Sequence, residues 1–188
     1  MQGVKIIDNF LPKYIQDQLE NITFDHGCKY TICRESAYIK NTTSYFDGPQ
    51  LTNILIEEGQ FTTGDLSHFF LLPFQIACLQ ENILFNLDRL YRVKVNIKFK
   101  QESKLDKFIN PPHTDNKFPN SIIGVYYVNN SDGDTIIYEG NDENNLKILK
   151  SIEPKKGRMI LMDGPIWHSA SHPLKTKTRM VINYNLIL

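Results

Sequence analysis

Four residues in the C-terminal half of the chain have the types and spacing of one metal-centred site: His113 and Asp115 in PPHTD, His168 in IWHSASHP, and Arg179 in TKTRMVINYN. On an extended strand, residues two apart share a face, so His113 and Asp115 can offer an imidazole and a carboxylate to one ion. His168 supplies a second imidazole. Two His and one carboxylate on one side of a metal leave three positions open, which suits non-haem Fe(II) taking a co-substrate and O₂ together. Arg179 presents a planar fork that can hold a carboxylate bidentately, as the far end of 2-oxoglutarate would require. It opens the strand-forming run Met180–Tyr184, whereas Lys175 and Lys177 fall in the loop before it.

These residues need a frame of strands. Val93, Val95, Ile97 and Phe99 alternate with Arg92, Lys94, Asn96 and Lys98, the period of a half-buried strand that begins near Tyr91. Further strand signals cover Ser121–Val128, Thr135–Tyr138, Leu146–Ile152, Arg158–Met162 and Arg179–Leu186. Short strands separated by Asn, Gly, Pro and Asp predict an antiparallel sandwich or barrel, and a double-stranded β-helix of jelly-roll or cupin form fits the count. Asn183 shares a face with Arg179 and Val181 and is a candidate pocket residue. Asn96 has two readings: solvent-facing with Lys94 and Lys98, or lining a polar barrel interior.

Ahead of the strands the signals are mostly helical. Val4–Ile7 reads as a short strand, and Pro12 can begin a helix with Ile15, Leu19 and Ile22 on one face. Pro73 fits the first turn of a longer helix in which Ile76, Leu79, Ile83, Leu87 and Leu90 repeat at spacings of three and four. Residues 1–90 are thus expected to supply helical support and lid loops, and residues 91–188 the jelly-roll core, within one domain spanning 1–188. Ile39–Ser67 has many turn residues and no sustained period. It reads as a pair of loops, either a plain connector or a lid in which Tyr45, Phe46 and Phe61 grip a substrate. Asn116–Asn120 is a second variable loop. His172 is expected in a loop, because Ser169, Ser171 and Pro173 oppose a helix that would pair it with His168. His26 and His68 lack partners at ligand spacing, and Trp167 reads as packing beside the metal.

Composition excludes several classes. The chain has 188 residues, with 21 Lys and Arg against 21 Asp and Glu, so no whole-chain field draws nucleic acid or an anionic membrane. No apolar run reaches eighteen residues and the N-terminus lacks a signal-peptide pattern, so no membrane span is expected. Cys28, Cys33 and Cys78 lack CxxC spacing, which favours free thiols and a reducing, cytoplasmic setting, with a Cys28–Cys33 pair left open. Oligomeric state is not legible.

From about Tyr91 to Leu188 the chain resembles the Fe(II)/2-oxoglutarate dioxygenases, specifically the prolyl-4-hydroxylase-like branch and the small oxygenases of that type in bacteriophages. The resemblance rests on PPHTD, IIGVYYVNN, GDTIIYEG, SIEPKKGRMILMDGPIWHSASHP and TRMVINYN. It implies that His113, Asp115 and His168 bind iron and that Arg179 holds the 2-oxoglutarate C5 carboxylate, assisted by Tyr127. It also favours the inward reading of Asn96. Collagen-type prolyl hydroxylases often have Lys where this chain has Arg179, which leaves the substrate open. Hydroxylation, or demethylation through a hydroxylated intermediate, with release of succinate and CO₂ is the implied reaction; Asp115 speaks against halogenation, since related halogenases lack that carboxylate. A protein prolyl side chain, a free amino acid or small metabolite, and a nucleobase all remain substrate candidates. Two other readings of the strands also remain: a cupin-type metal enzyme independent of 2-oxoglutarate, and a jelly-roll binding module without turnover.

Overall fold

Alternation sets the strands of this protein, and the apolar surface of two helices decides which way each strand faces. The computed structural model describes residues 3–24, 28–34, 48–62, 67–102, 108–115 and 118–188. In chain order these form β1 (Val4–Ile7), α1 (Lys13–Thr23), β2 (Thr31–Cys33), β3 (Gln50–Glu57), β4 (Gln60–Phe61), α2 (Ser67–Gln80), β5 (Leu90–Phe99), β6 (Phe108–Ile109), β7 (Ser121–Tyr127), β8 (Thr135–Glu139), β9 (Lys147–Ile152), β10 (Met159–Asp163), β11 (His168–His172) and β12 (Thr178–Ile187). The larger sheet has the order β1-β10-β7-β12-β5-β3-β2, with β4 also paired to β3, and the smaller has the order β6-β11-β8-β9. Neighbouring strands are antiparallel, and the two sheets face each other as a jelly roll, the double-stranded β-helix that the strand count predicts.

The larger sheet has two different faces. Val93, Val95 and Ile97 of β5, Met180, Ile182 and Tyr184 of β12, and Ile122 and Tyr126 of β7 pack against Leu19 of α1 and Phe70, Leu71 and Phe74 of α2. On the other face Ile123, Val125, Ile160, Met162 and Val181 meet Ile137 and Ile152 from the smaller sheet. Turning β5 over would expose three aliphatic side chains, each stabilised by about 1.5–3 kcal/mol through burial. It would also drive two lysines and an arginine into the helical core. Gly124 permits the close approach of α2: a Cβ there would lie 2.6 Å from the Phe74 ring, which stacks on Tyr184 at 4.7 Å between centroids.

Three expectations change. The second helix starts at Ser67 and ends at Gln80, so Pro73 lies inside it and the helix does not run on to Leu90. Pro73 removes the N–H that would bond the Phe69 carbonyl, and, one position on, the Phe70 carbonyl accepts a hydrogen bond from the Tyr184 hydroxyl at 2.6 Å. The stop is Asn82, whose φ of 54° is left-handed: Ile83 N–H donates to the Cys78 carbonyl and Asn82 N–H to that of Leu79, a Schellman closure. Leu79, placed on the apolar stripe by its spacing, is exposed.

The segment read as loops contains β3, paired to β2 on one side and β5 on the other. A bulge between Ile54 and Ile56 turns Leu55 and Ile56 both into the core and leaves Ile54 exposed, which erases the alternation a strand normally shows. Residues 39–47 and 63–66, with Tyr45 and Phe46, lie outside the described residues. Phe61 sits on β4 with its ring 4.7 Å from that of His68. His26 and residues 116–117 of the second variable loop are likewise outside the description. Cys28, Cys33 and Cys78 are all free thiols, and among the described residues no helix is long and apolar enough to cross a membrane.

Candidate active site

His113 and His168 are locked face to face by the backbone. The His113 N–H donates to the His168 carbonyl and the His168 N–H to that of His113, both at 2.9 Å, an antiparallel bridge that ties the PPHTD segment to the start of β11. The two rings consequently lie 4.7 Å apart. Asp115, two residues on, turns to the same side. Its Oδ1 is 3.7 Å from His113 Nε2, and its Oδ2 is 3.8 Å from His168 Nε2. One potential ligand atom from each residue falls within 4.8 Å of the other two.

The protonation pattern leaves these atoms available to a cation. His113 Nδ1 lies 3.2 Å from the Pro111 carbonyl and His168 Nδ1 lies 3.0 Å from that of Ile166. A carbonyl only accepts, so each Nδ1 carries the proton and each Nε2 turns a lone pair toward the third residue. Burial, reinforced by the neighbouring imidazole of His168, pushes the His113 pKa down to about 4. Burial also works against the charge on Asp115, but His168 and His113 when protonated, with Arg92 and Lys94, outweigh it and hold the carboxyl below its ordinary range. Asp115 Oδ2 is buried without a hydrogen-bond partner. A charged oxygen left bare in this way is costly unless a cation meets it. The donor set and that oxygen both fit a divalent metal ion.

Arg179 stands on β12 opposite Lys98 of β5. Its Nε donates to the Gly133 carbonyl at 2.6 Å and its Nη2 to Thr135 Oγ1 at 2.8 Å. The Tyr127 hydroxyl donates to the same Thr135 oxygen at 2.6 Å, and the guanidinium lies 5.7 Å from the Tyr127 ring centroid. Burial raises the Tyr127 pKa, so the phenol remains a donor. Gly133 is required for this clamp, because a Cβ there would lie 2.7 Å from the Ser171 carbonyl oxygen and 3.0 Å from Arg179 Cδ.

His113, Asp115, His168 and Arg179 line one cavity of about 330 Å³, a volume suited to small ligands. Asn96 and Asn183 line it too, so the inward reading of Asn96 holds for position, and its Oδ1 accepts from Thr52 Oγ1 at 3.2 Å. Tyr127 is brought beside Arg179 but is not among the lining residues; Thr135 forms the wall in front of it. Phe61 is also outside the lining. His172 is not a loop residue: it ends β11, is buried, and its Nδ1 is 3.4 Å from the Phe99 carbonyl. The stretch HSASH hides a central strand because its small polar side chains lack the apolar alternation by which strands are recognised. Trp167 precedes β11 with opposite parity to His168 and lines a separate surface cavity with Pro119 and Tyr138.

Several site residues escaped the sequence reading. Thr135 and Gly133 hold Arg179, and GDT in the quoted motif was the available signal. Asp132 fixes the loop before β12, accepting from the backbone N–H groups of Leu174, Lys175 and Thr176 at 3.0, 2.8 and 2.9 Å. Arg92 and Lys94 also line the cavity, with Arg92 Nη2 3.3 Å from Asp115 Oδ1.

No family model matches the chain, and no curated protein matches it. Solved structures do match in shape. A Pseudomonas putida prolyl-4-hydroxylase is 12% identical with a TM-score of 0.59, over 100% of this chain and 93% of that one. A Trichoplax adhaerens prolyl hydroxylase in complex with a hypoxia inducible factor peptide fragment is 15% identical with a TM-score of 0.62, over 100% and 84%. The epimerase SnoN from nogalamycin biosynthesis, in complex with Fe³⁺, alpha ketoglutarate and nogalamycin RO, is 10% identical with a TM-score of 0.63, over 99% and 79%. At these identities the likeness is one of fold: the chain has the jelly roll that these oxygenase structures share.

Proposed function

We propose that the chain is an Fe(II)- and 2-oxoglutarate-dependent oxygenase that hydroxylates a C–H bond of its substrate and releases succinate and CO₂. The observation that carries this is the buried Asp115 Oδ2, bare of hydrogen bonds and facing two imidazole Nε2 atoms, in the same cavity as a clamped guanidinium. His113, Asp115 and His168 would hold the iron on one side and leave its other positions open. Iron bound there would supply activation of O₂ driven by decarboxylation of the 2-oxo acid. Arg179 would anchor the far carboxylate through its charge, with Thr135 Oγ1 and the Gly133 carbonyl fixing its orientation and Tyr127 bracing Thr135 from behind. Asn96 and Asn183 would offer amide hydrogen bonds to the co-substrate between those two ends. The likeness of fold to prolyl hydroxylases supports the reaction class; one neighbour is in complex with a peptide fragment and the epimerase SnoN with nogalamycin RO, so fold does not choose between protein and small-molecule substrates. The three free thiols support a reducing, cytoplasmic setting.

The test is anaerobic loading with Fe(II) and 2-oxoglutarate, followed by O₂. A visible charge-transfer band on loading and succinate formation on oxygenation are expected. Iron uptake without a band or succinate would point to a cupin-type enzyme independent of 2-oxoglutarate. Failure to take up any metal would leave a binding module.

A further inference from the structure

The cavity contains more positive charge than an iron and a 2-oxoglutarate require. Strand alternation brings Arg92, Lys94, Asn96 and Lys98 onto one face of β5, and all four line the cavity together with Arg179. Among the described lining residues, Asp115 is the sole carboxylate. A divalent cation and the dianionic co-substrate cancel, so their binding leaves the excess of cations in place. Asp115 offsets only one of these cations, Arg92, whose Nη2 lies 3.3 Å from its Oδ1.

The cations fall into two groups along the strand. Arg179 pairs in register with Lys98, whereas Lys94 pairs with Asn183 and Arg92 with Asn185. Four residues of strand separate Lys98 from Lys94, about 13 Å of backbone at the usual rise. Arg179 is held by Gly133 and Thr135 at its own end, while the Arg92 guanidinium reaches Asp115. Arg92 Nε is buried without a hydrogen-bond partner. Burial pushes the Lys94 pKa below its ordinary value, with Arg92 adding to the effect and Asp115 opposing it. Two cations side by side on one strand face repel each other, and a bound metal would add to the repulsion. An anion between them would reverse it.

We propose that Arg92 and Lys94 form a second anion site, at the triad end of the cavity, that binds a carboxylate or phosphate group of a small primary substrate. The assignment rests on the oxygenase reading for what happens to that substrate, and it narrows the substrate class to small acids.

The test uses the whole chain with ¹³Cε-labelled lysine, loaded with redox-inert Zn(II) and saturated with 2-oxoglutarate. The Lys94 signal is identified by its disappearance in Lys94→Gln. Inorganic phosphate and acetate are titrated separately, with the signal of Lys150, on the exposed side of β9, as an internal reference. The Lys94 signal should move to saturation with at least one probe while Lys150 does not, and the probe that binds more tightly distinguishes phosphate from carboxylate. Arg92→Gln should weaken that probe about tenfold. The proposal is overturned if Lys94 responds to neither probe, if it moves only in step with Lys150, if saturating 2-oxoglutarate abolishes a response seen without it, or if Arg92→Gln leaves the affinity unchanged. The titration is repeated on metal-free protein. Should the chain take up no metal, the oxygenase reading fails while the Lys94 response still decides the anion site.

Discussion

Thr135 is the most informative single position, because one hydroxyl oxygen accepts from both Arg179 and Tyr127 in a place closed to water. Thr135→Val keeps the shape of the side chain and removes the one acceptor that both donors share. Loss of a hydrogen bond from a charged donor costs about 1.5–3 kcal/mol, and a buried hydroxyl left without a partner costs about 1–3 kcal/mol more. The expected destabilisation is therefore about 2.5–6 kcal/mol. Tyr127→Phe removes one neutral hydrogen bond and leaves Arg179 its acceptor, so about 0.5–1.5 kcal/mol is expected. The double variant discriminates between explanations. Phenylalanine needs no acceptor, so adding Tyr127→Phe to Thr135→Val relieves the stranded hydroxyl, and the double variant should be more stable than Thr135→Val alone by about 1 kcal/mol. Urea unfolding of the metal-free proteins, followed by far-ultraviolet circular dichroism, gives the three differences in one cycle. If the two single effects simply add, so that the double variant is the least stable, the Tyr127 hydroxyl does not depend on the Thr135 oxygen.

Other perturbations test separate parts of the site. His168→Ala and Asp115→Asn should each abolish stoichiometric Co(II) or Fe(II) binding by calorimetry, whereas His172→Ala, which alters a buried position of β11 outside the triad, should lower stability and keep the stoichiometry. Arg179→Ala should weaken 2-oxoglutarate binding by at least about thirtyfold, the lower end of what truncating one member of a buried charged pair costs, with metal affinity little changed; Arg179→Lys should recover part of it. Burial opposes the charge of Asp132, but hydrogen bonds from Thr176, Leu174 and Lys175 outweigh it and hold its pKa below the ordinary 3.8. The stability this provides is complete above that ordinary value and drains away as pH falls toward the folded pKa. The gap in urea midpoint between wild type and Asp132→Asn should accordingly be constant from neutral pH down to about pH 4 and close below it.

The triad and Arg179 were legible because ligand chemistry is written in residue type and strand parity, and neither depends on tertiary detail. Strand limits in the C-terminal half were legible from short runs of strand formers between turn residues: β7, β8, β9, β10 and β12 each begin and end within a residue of those runs. Where parity broke, reading failed. The bulge in β3 turns two successive residues inward, and β11 is a buried strand of small polar residues and two histidines. The end of α2 was within reach, since Asn is the residue after Gly that best tolerates the left-handed C′ position. The apolar spacing beyond Gln80 carried the helix too far because spacing alone has no stop.

Parity also has a limit that β5 exposes. Alternation divides Arg92, Lys94, Asn96 and Lys98 from Val93, Val95 and Ile97, but it does not say which set faces out, and charge answers only under the assumption that charged faces meet water. In a sandwich with helices on one side, the two candidate interiors differ in kind. One is a dry interface with Phe70, Leu71 and Phe74, where an unpaired lysine would cost several kcal/mol. The other is a cavity already lined by His113, Asp115, His168 and Arg179. The apolar set therefore goes to the helices, and the charged set has only the cavity left. The sequence carried this as one of the two readings of Asn96, and α2 gives its physical ground: with Phe69, Phe70, Leu71, Phe74 and Ile76 it claims the aliphatic face of the nearest strands.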